Sequence, residues 1–322
     1  MSNKINRTIH NSRKTISNII YGNSNKLIVI VGPCSIHSYK GISKYTTKLQ
    51  NIVHKYKNLH ICVRAYFEKP RTITGWKGLI YDPDINTDYN INKGITKALK
   101  ILKMITAKKL SIATEFLNTI LSNYIKHYIT IGTIGARNCE SQIHRELASA
   151  LNIPIGFKNN TYGEITGAIN SLIACNKNNN HIYIDAKGAI RRQLNTYNKN
   201  CCLILRGGHN ITNYKKPHIT KTLNILKSNN LKQGLIIDAS HDNSKKNPQN
   251  QIRNIKCLAA QLQTNPKICG VMIESYIYKG RQNISNHINP YQSITDECLD
   301  FKNTKLLLSL LNKAVSNRKH FK

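Results

Sequence analysis

Residues 27–37, LIVIVGPCSIH, decide how the chain is read. The apolar, largely β-branched run from Leu27 to Val31 stops at Gly32 and Pro33 and delivers Cys34 to its end. An unbroken apolar run closed by Gly-Pro is the pattern of a strand buried on both faces and ending in a tight turn. Cys34 then stands at the strand's carboxyl end, and the later strand candidates also end in charged or metal-capable residues.

Outward from this stretch, strand and helix signals alternate. Helical patterns cover 39–56, 93–108, 118–127, 140–151, 164–175, 216–228, 249–263 and 304–317. Strand patterns are HICVRAYF (60–67), SIATEF (111–116), YITIGTIGAR (128–137), PIGFKN (154–159), CCLILRGG (201–208), GLIIDASH (234–241) and ICGVMIES (268–275). Residues 68–92, carrying EKPRT and GWKGL, hold too many Gly and Pro for a regular element, and long loops of this kind are functional or disordered. HIYID (181–185) and AIRRQLNT (189–196) have no helix between them and read as a hairpin.

Without that hairpin, eight apolar strands remain, each followed by a helix-length crossover. Parallel pairing requires such crossovers, and the repeat predicts an α/β fold: a single (β/α)8 TIM barrel over 26–322. Residues 1–25 form a short N-terminal extension, and the hairpin is inserted before the sixth barrel strand. An open doubly wound sheet is the alternative, but GxGxxG and GxxxxGK[ST] loops are missing from the sequence.

The 322 residues include 48 Lys+Arg against 15 Asp+Glu, a formal charge of +33. Such a field attracts nucleic acid, acidic lipid and phosphorylated metabolites. The basic residues are dispersed rather than clustered as in a nucleic-acid arm, and Lys, Asn and Ile recur even in loops such as 176–180, which points to coding bias. No specific nucleic acid and no membrane are expected as partners, since no apolar segment approaches the ~18–20 residues a bilayer demands. Nine cysteines without a CxxC pair, and no secretory segment near Met1, fit a reducing cytoplasm.

The strand ends supply Cys34; Arg64, with Lys69 and Arg71 just beyond; Glu115; Arg137; Lys158; Arg206; Asp238 and His241; and Glu274. In a barrel these share the carboxyl-terminal rim, where active sites are built. Six of them are cations, which repel unless anions sit among them, so the rim expects phosphate or carboxylate groups. Cys34, His241 and Glu274 can bind a metal. A lone Lys or Arg means little in so basic a chain, and a buried Cys is usually a small core residue. The acids weigh more, because Glu115, Asp238, Glu274 and Asp296 fall at or near strand ends although the chain has only 15. His37 and His144 read as structural groups, and Trp76 as packing for the long loop.

GPCSIH (32–37), RAYFEKPRT (64–72), GWKGL (75–79), GARNCESQIHRELAS (135–149), GFKN (156–159), LRGG (205–208), SHDNS (240–244), ESY (274–276) and SITDEC (293–298) together resemble the type I 3-deoxy-D-arabino-heptulosonate 7-phosphate (DAHP) synthases of the shikimate pathway. The resemblance implies a (β/α)8 barrel that condenses phosphoenolpyruvate with erythrose 4-phosphate, in a homo-oligomer, dimer or tetramer. It implies one divalent metal ion, Mn, Fe, Co or Zn, on Cys34, His241, Glu274 and Asp296. Arg64, Lys69, Arg137, Lys158 and Arg206 match the residues that hold phosphoenolpyruvate. Arg71 and Thr72 match the sugar-phosphate side, and Glu115 a residue near the attacking water. Lys69 is the expected proton donor, its pKa lowered by neighbouring cations.

The chain departs from the family at Ala239, where an aromatic residue is usual. It departs also at Asn160, where glycine is usual and Asn is expected to adopt positive φ. The sister enzyme that makes 3-deoxy-manno-octulosonate 8-phosphate is the nearest alternative, and a degenerate barrel binding nucleic acid is the alternative from another class.

Overall fold

The structure is a computed structural model that describes residues 3–318 except 72, 186 and 210, with the backbone alone for 3–5. In chain order the elements are α1 (Asn3–Tyr21), β1 (Leu27–Gly32), α2 (Tyr39–Val53), β2 (Leu59–Arg64), α3 (Ile91–Ala107), β3 (Ser111–Glu115), α4 (Ser122–Ile125), β4 (Ile131–Ile134), α5 (Gln142–Ala150) and β5 (Ile155–Lys158). They continue with α6 (Thr166–Cys175), β6 (Asn179–Ile184), β7 (Ile190–Thr196), β8 (Cys201–Leu205), α7 (Lys216–Ser228), β9 (Leu235–Asp238), α8 (Pro248–Leu262), β10 (Ile268–Glu274) and α9 (Phe301–Ser316).

Eight parallel strands close a barrel in the order β1-β2-β3-β4-β5-β8-β9-β10, with β10 returning to β1. The remaining pair, β6 and β7, is an antiparallel hairpin just before β8, the sixth barrel strand.

Strand alternation sorts the barrel's residues into two cores. Ile28, Ile30, Cys62, Ala113, Ile131, Cys202, Ile204, Ile236 and Met272 pack in one cluster inside the barrel. Their neighbours, such as Leu27, Val29, Val31, Ile61, Val63, Leu203 and Ile237, pack with the helices in the other. Ile16, Ile19 and Ile20 of α1 belong to the inner cluster. That helix therefore covers the amino-terminal end of the barrel, where Gly234 N donates to Ile20 O at 2.7 Å.

One expected element is much shorter in the structure. The pattern over 118–127 yields only the single turn α4 and a 3-10 turn, Lys126–Tyr128. Asn118 Oδ1 accepts from the backbone N–H groups of Ile120 (2.9 Å) and Leu121 (3.4 Å), the pattern of a helix N-cap, and the helical turns that follow end at Tyr128.

The loop between β2 and α3 is irregular but tied down. Trp76 Nε1 donates to Asp82 O at 2.8 Å, and the Asp82 carboxylate accepts from Asn86 N and Thr87 N. Gly78, at φ 108°, has no room for a side chain, since a Cβ there would lie 2.3 Å from Phe67 O.

Because Ile16 is fully buried under the barrel floor, Ile16→Ala is expected to lower unfolding stability by about 2–5 kcal/mol. Denaturant unfolding checks this, and an unchanged midpoint would mean that α1 does not seal the inner core.

Candidate active site

In six of the eight barrel strands the inward parity ends in a functional side chain. The inner residues run Cys62 to Arg64, Ala113 to Glu115, Gly156 to Lys158, Ile204 to Arg206, Ile236 to Asp238 and Met272 to Glu274. The same step of two carries β2 onward, so that Arg64, Tyr66 and Glu68 all line one cavity. This cavity, of about 280 Å³, is also lined by Cys34, Lys69, Arg71, Glu115, Arg137, Lys158, Arg206, His241 and Asp296. A wider crevice of about 660 Å³ adjoins it, sharing Arg71, Lys246 and Asp296 and adding Trp76, Lys245 and Arg281. Thr72 lies outside the described residues.

Four of the cations are already matched to carboxylates. Arg64 Nη2 lies 3.0 Å from Glu274 Oε1, Lys69 Nζ 2.8 Å from Asp296 Oδ2, Lys158 Nζ 2.7 Å from Glu115 Oε2, and Arg206 Nη1 contacts Asp242 Oδ2. Anions do sit among the cations, and those the structure shows are the chain's own scarce carboxylates, paired one to one with four of them. Tyr66 adds its ring face, 3.7 Å from the Arg64 guanidinium and 5.3 Å from Lys158 Nζ. Its hydroxyl meets Thr133 Oγ1 at 2.9 Å.

Cys34, Glu274 and Asp296 place one donor atom each within 4.8 Å of one another. His241 Nε2 lies 3.6 Å from Glu274 Oε1. Its Nδ1 is 2.7 Å from Asp238 Oδ2 and 2.8 Å from Ser240 Oγ, contacts that fix which ring nitrogen faces the cluster. Burial, and next the Glu274 charge, pushes the Cys34 thiol up to about 11, against the pull of Lys69. Burial alone would raise the Asp238 carboxyl, but His241, Lys158 and the Ser240 hydroxyl bring it well below the usual carboxylate range.

One thiol and two carboxylates this close fit a divalent cation, while the His241 imidazole adjoins Glu274 but lies outside the group of three. The fit is strengthened by Glu274 Oε1, which is buried without an aligned hydrogen bond. Lys69 Nζ touches Cys34 Sγ at 3.0 Å as well as Asp296, so its ammonium neutralises the pair of donors that a metal would take.

Two further expectations are corrected. The Lys69 ammonium is not acidified: burial lowers its pKa, but attraction to Cys34, Asp296 and Glu274 outweighs this and raises it above the usual lysine range. Asn160 does not adopt positive φ, which falls instead on Gly163 at 94°. Asn160 closes the turn through its side chain, Oδ1 accepting from Tyr162 N and Glu164 N at 3.0 Å each. His144 is structural as expected, its ring held by Ser141 Oγ and Leu117 O at 2.9 Å.

The sequence reading missed Tyr66, Glu68, Asp242 and Lys246. The first two were legible from the step of two beyond Arg64. Asp242 and Lys246 had no such signal, because they come from the 3-10 turn His241–Ser244 and from Lys246's left-handed backbone, φ 57°.

Burial raises the Glu68 carboxyl to about 7 against the help of the Asn118 and Leu117 amides. A carboxyl that ionises later in the fold than in the unfolded chain stabilises below the unfolded pKa and loses that contribution as pH rises towards 7. Glu68→Gln is therefore expected to gain on the wild type between pH 5 and pH 8, by on the order of 2–3 kcal/mol. Melting curves at the two pH values check this, and a difference that does not change with pH would contradict the assignment.

The sequence profile of the DAHP synthetase I family matches residues 6–309. A putative phospho-2-dehydro-3-deoxyheptonate aldolase of Schizosaccharomyces pombe is 40% identical over 97% of this chain and 86% of its own. The phenylalanine-inhibited phospho-2-dehydro-3-deoxyheptonate aldolase of Saccharomyces cerevisiae is 39% identical over 99% of this chain and 89% of its own. The solved structure of phospho-2-dehydro-3-deoxyheptonate aldolase from Francisella tularensis superposes with a TM-score of 0.97 at 40% identity, covering 99% of this chain and 94% of that one. By profile, sequence and fold together, the chain belongs to the DAHP synthetase I family.

Proposed function

We infer that this enzyme condenses phosphoenolpyruvate with erythrose 4-phosphate and water, giving DAHP and inorganic phosphate. The observation that carries this reading is the single cavity in which the cations and the S, N and O donors meet. Carbon 3 of phosphoenolpyruvate attacks the aldehyde, water adds at carbon 2, and phosphate leaves by C–O cleavage.

In this reading Arg64, Arg137, Lys158 and Arg206 hold the carboxylate and phosphate of phosphoenolpyruvate, with Lys69 beside them. Arginine can grip either group through two donors at once. Arg71 and Thr72 take the sugar phosphate. Arg71 is kept at the joint between cavity and crevice by its Nε bond to Trp76 O, 2.8 Å. Lys69 holds its proton firmly, so it can give it up only to a strongly basic oxygen such as the one that develops from the aldehyde. Glu115 sits near the water; its pairing with Lys158 outweighs burial and lowers its pKa. Its carboxylate therefore orients the water better than it deprotonates it.

Cys34, His241, Glu274 and Asp296 would hold one divalent ion, which supplies Lewis-acid polarisation of the aldehyde. The mixed donors suit Mn, Fe, Co or Zn better than Mg. The same reading makes the protein a cytoplasmic homo-oligomer, dimer or tetramer, with residues 1–25 as an extension of the 26–322 catalytic domain. No helix among the described residues is long and apolar enough to cross a membrane.

Phosphate release from phosphoenolpyruvate should require erythrose 4-phosphate. It should fall about a hundredfold or more with chelator or with Cys34→Ala, since even residues that only orient metal ligands are worth about 10–100-fold. Activity indifferent to both treatments would refute the metal assignment, and no release with both substrates and added metal would refute the reaction.

A further inference from the structure

Of the four acids that neutralise the cavity's cations, three have work in the proposed chemistry: Glu274 and Asp296 as metal ligands, Glu115 beside the water. Asp242 has none, yet it holds Arg206. We propose that Asp242 is a positioning residue that aims the Arg206 guanidinium at the phosphate of phosphoenolpyruvate.

Arg206 follows β8, and its backbone is fixed before its side chain begins. Arg206 N donates to Asn159 Oδ1 at 2.8 Å, and Arg206 O accepts from Asn243 N at 3.2 Å. Beyond that anchored backbone an arginine keeps several free torsions, and a guanidinium left loose surrenders part of its binding energy as lost rotamer freedom. Asp242 removes that freedom by taking Nη1, while the planar fork keeps Nε and Nη2 available as donors. Arg206 lines the cavity and Asp242 does not, so the carboxylate grips from outside the space a substrate would fill.

Asp242 is itself held at a fixed place. It lies in the 3-10 turn His241–Ser244, closed by Ser244 N to Ser240 O at 3.2 Å and Lys245 N to Asp242 O at 3.1 Å. Gly207, next to Arg206, packs so closely on this turn that a Cβ would come within 2.6 Å of Asn243 N. Turn and strand end therefore move as one piece, and the distance between carboxylate and guanidinium is set by backbone rather than by chance side-chain contact.

This inference rests on the reading of the cavity as a phosphoenolpyruvate site. The test measures the KM of each substrate in Asp242→Asn, in Arg206→Gln and in the double variant, with calorimetric binding of phosphoenolpyruvate and melting temperatures alongside. In Asp242→Asn the KM for phosphoenolpyruvate should rise roughly tenfold, the size of one charge-assisted hydrogen bond. The KM for erythrose 4-phosphate and kcat should stay within about threefold. In the Arg206→Gln background, Asp242→Asn should add little, because the group it positions is gone.

An unchanged or lowered KM for phosphoenolpyruvate, additive effects in the double variant, or parallel losses for both substrates with a lower melting temperature would each overturn the positioning role. A wild-type protein that does not bind phosphoenolpyruvate at all would overturn the underlying functional reading instead, and the inference with it.

Discussion

A cation drawn into a narrow barrel mouth must find an anion within a few ångströms, because water no longer screens or solvates it. Much of this protein's site is organised by that requirement. Arg64, Lys69, Lys158 and Arg206 each reach a different acid, from a different strand or loop, and the four pairs interlock around one cavity. The chain has only 15 acidic residues for 48 basic ones, and it places four of those acids here. The surface can carry a large positive excess in bulk water. The mouth of the barrel cannot.

The same pairing gives the free site its binding logic. Glu115, Glu274 and Asp296 hold places that a ligand's charge or a metal's donor set can take over, whereas Asp242 grips Arg206 from outside the cavity. Lys69 shows this most directly, since it contacts both Cys34 and Asp296, two of the atoms suited to a divalent ion. The Lys69 ammonium thus occupies the partners that a divalent ion would take. His241 is prepared from the other side, with Asp238 fully buried beneath it and its backbone in the left-handed region at φ 48°. Such strain is retained where surrounding contacts over-determine it, and at functional turns in particular.

Most of this architecture could be seen in the sequence because buried parallel strands read as unbroken apolar runs separated by helix-length segments. LIVIVG is buried along its whole length, so the strand was visible from apolar content alone. The carboxyl ends of the later runs then pointed to Arg64, Glu115, Lys158, Arg206, Asp238 and Glu274. What could not be seen depends on turns and on pairing in space. The helix expected over 118–127 shortens to one α turn and a 3-10 turn, a break that the apolar pattern does not mark. Asp242 is one residue past His241, and only the 3-10 turn brings it to Arg206. Lys69 was expected to feel the cations around it, whereas its nearest neighbours are a thiol and a carboxylate, a matter of ångströms that no spacing reveals.

Membership in the DAHP synthetase I family narrows the chemistry, and the cavity agrees with it, its cations lying beside a cluster of thiol and carboxylate donors. The most direct test of that account is a turnover comparison, in the presence of divalent metal, of erythrose 4-phosphate with arabinose 5-phosphate as the acceptor for phosphoenolpyruvate. The account predicts the seven-carbon DAHP as product and a clear preference for the four-carbon sugar. Preference for arabinose 5-phosphate, or turnover of neither, would contradict it.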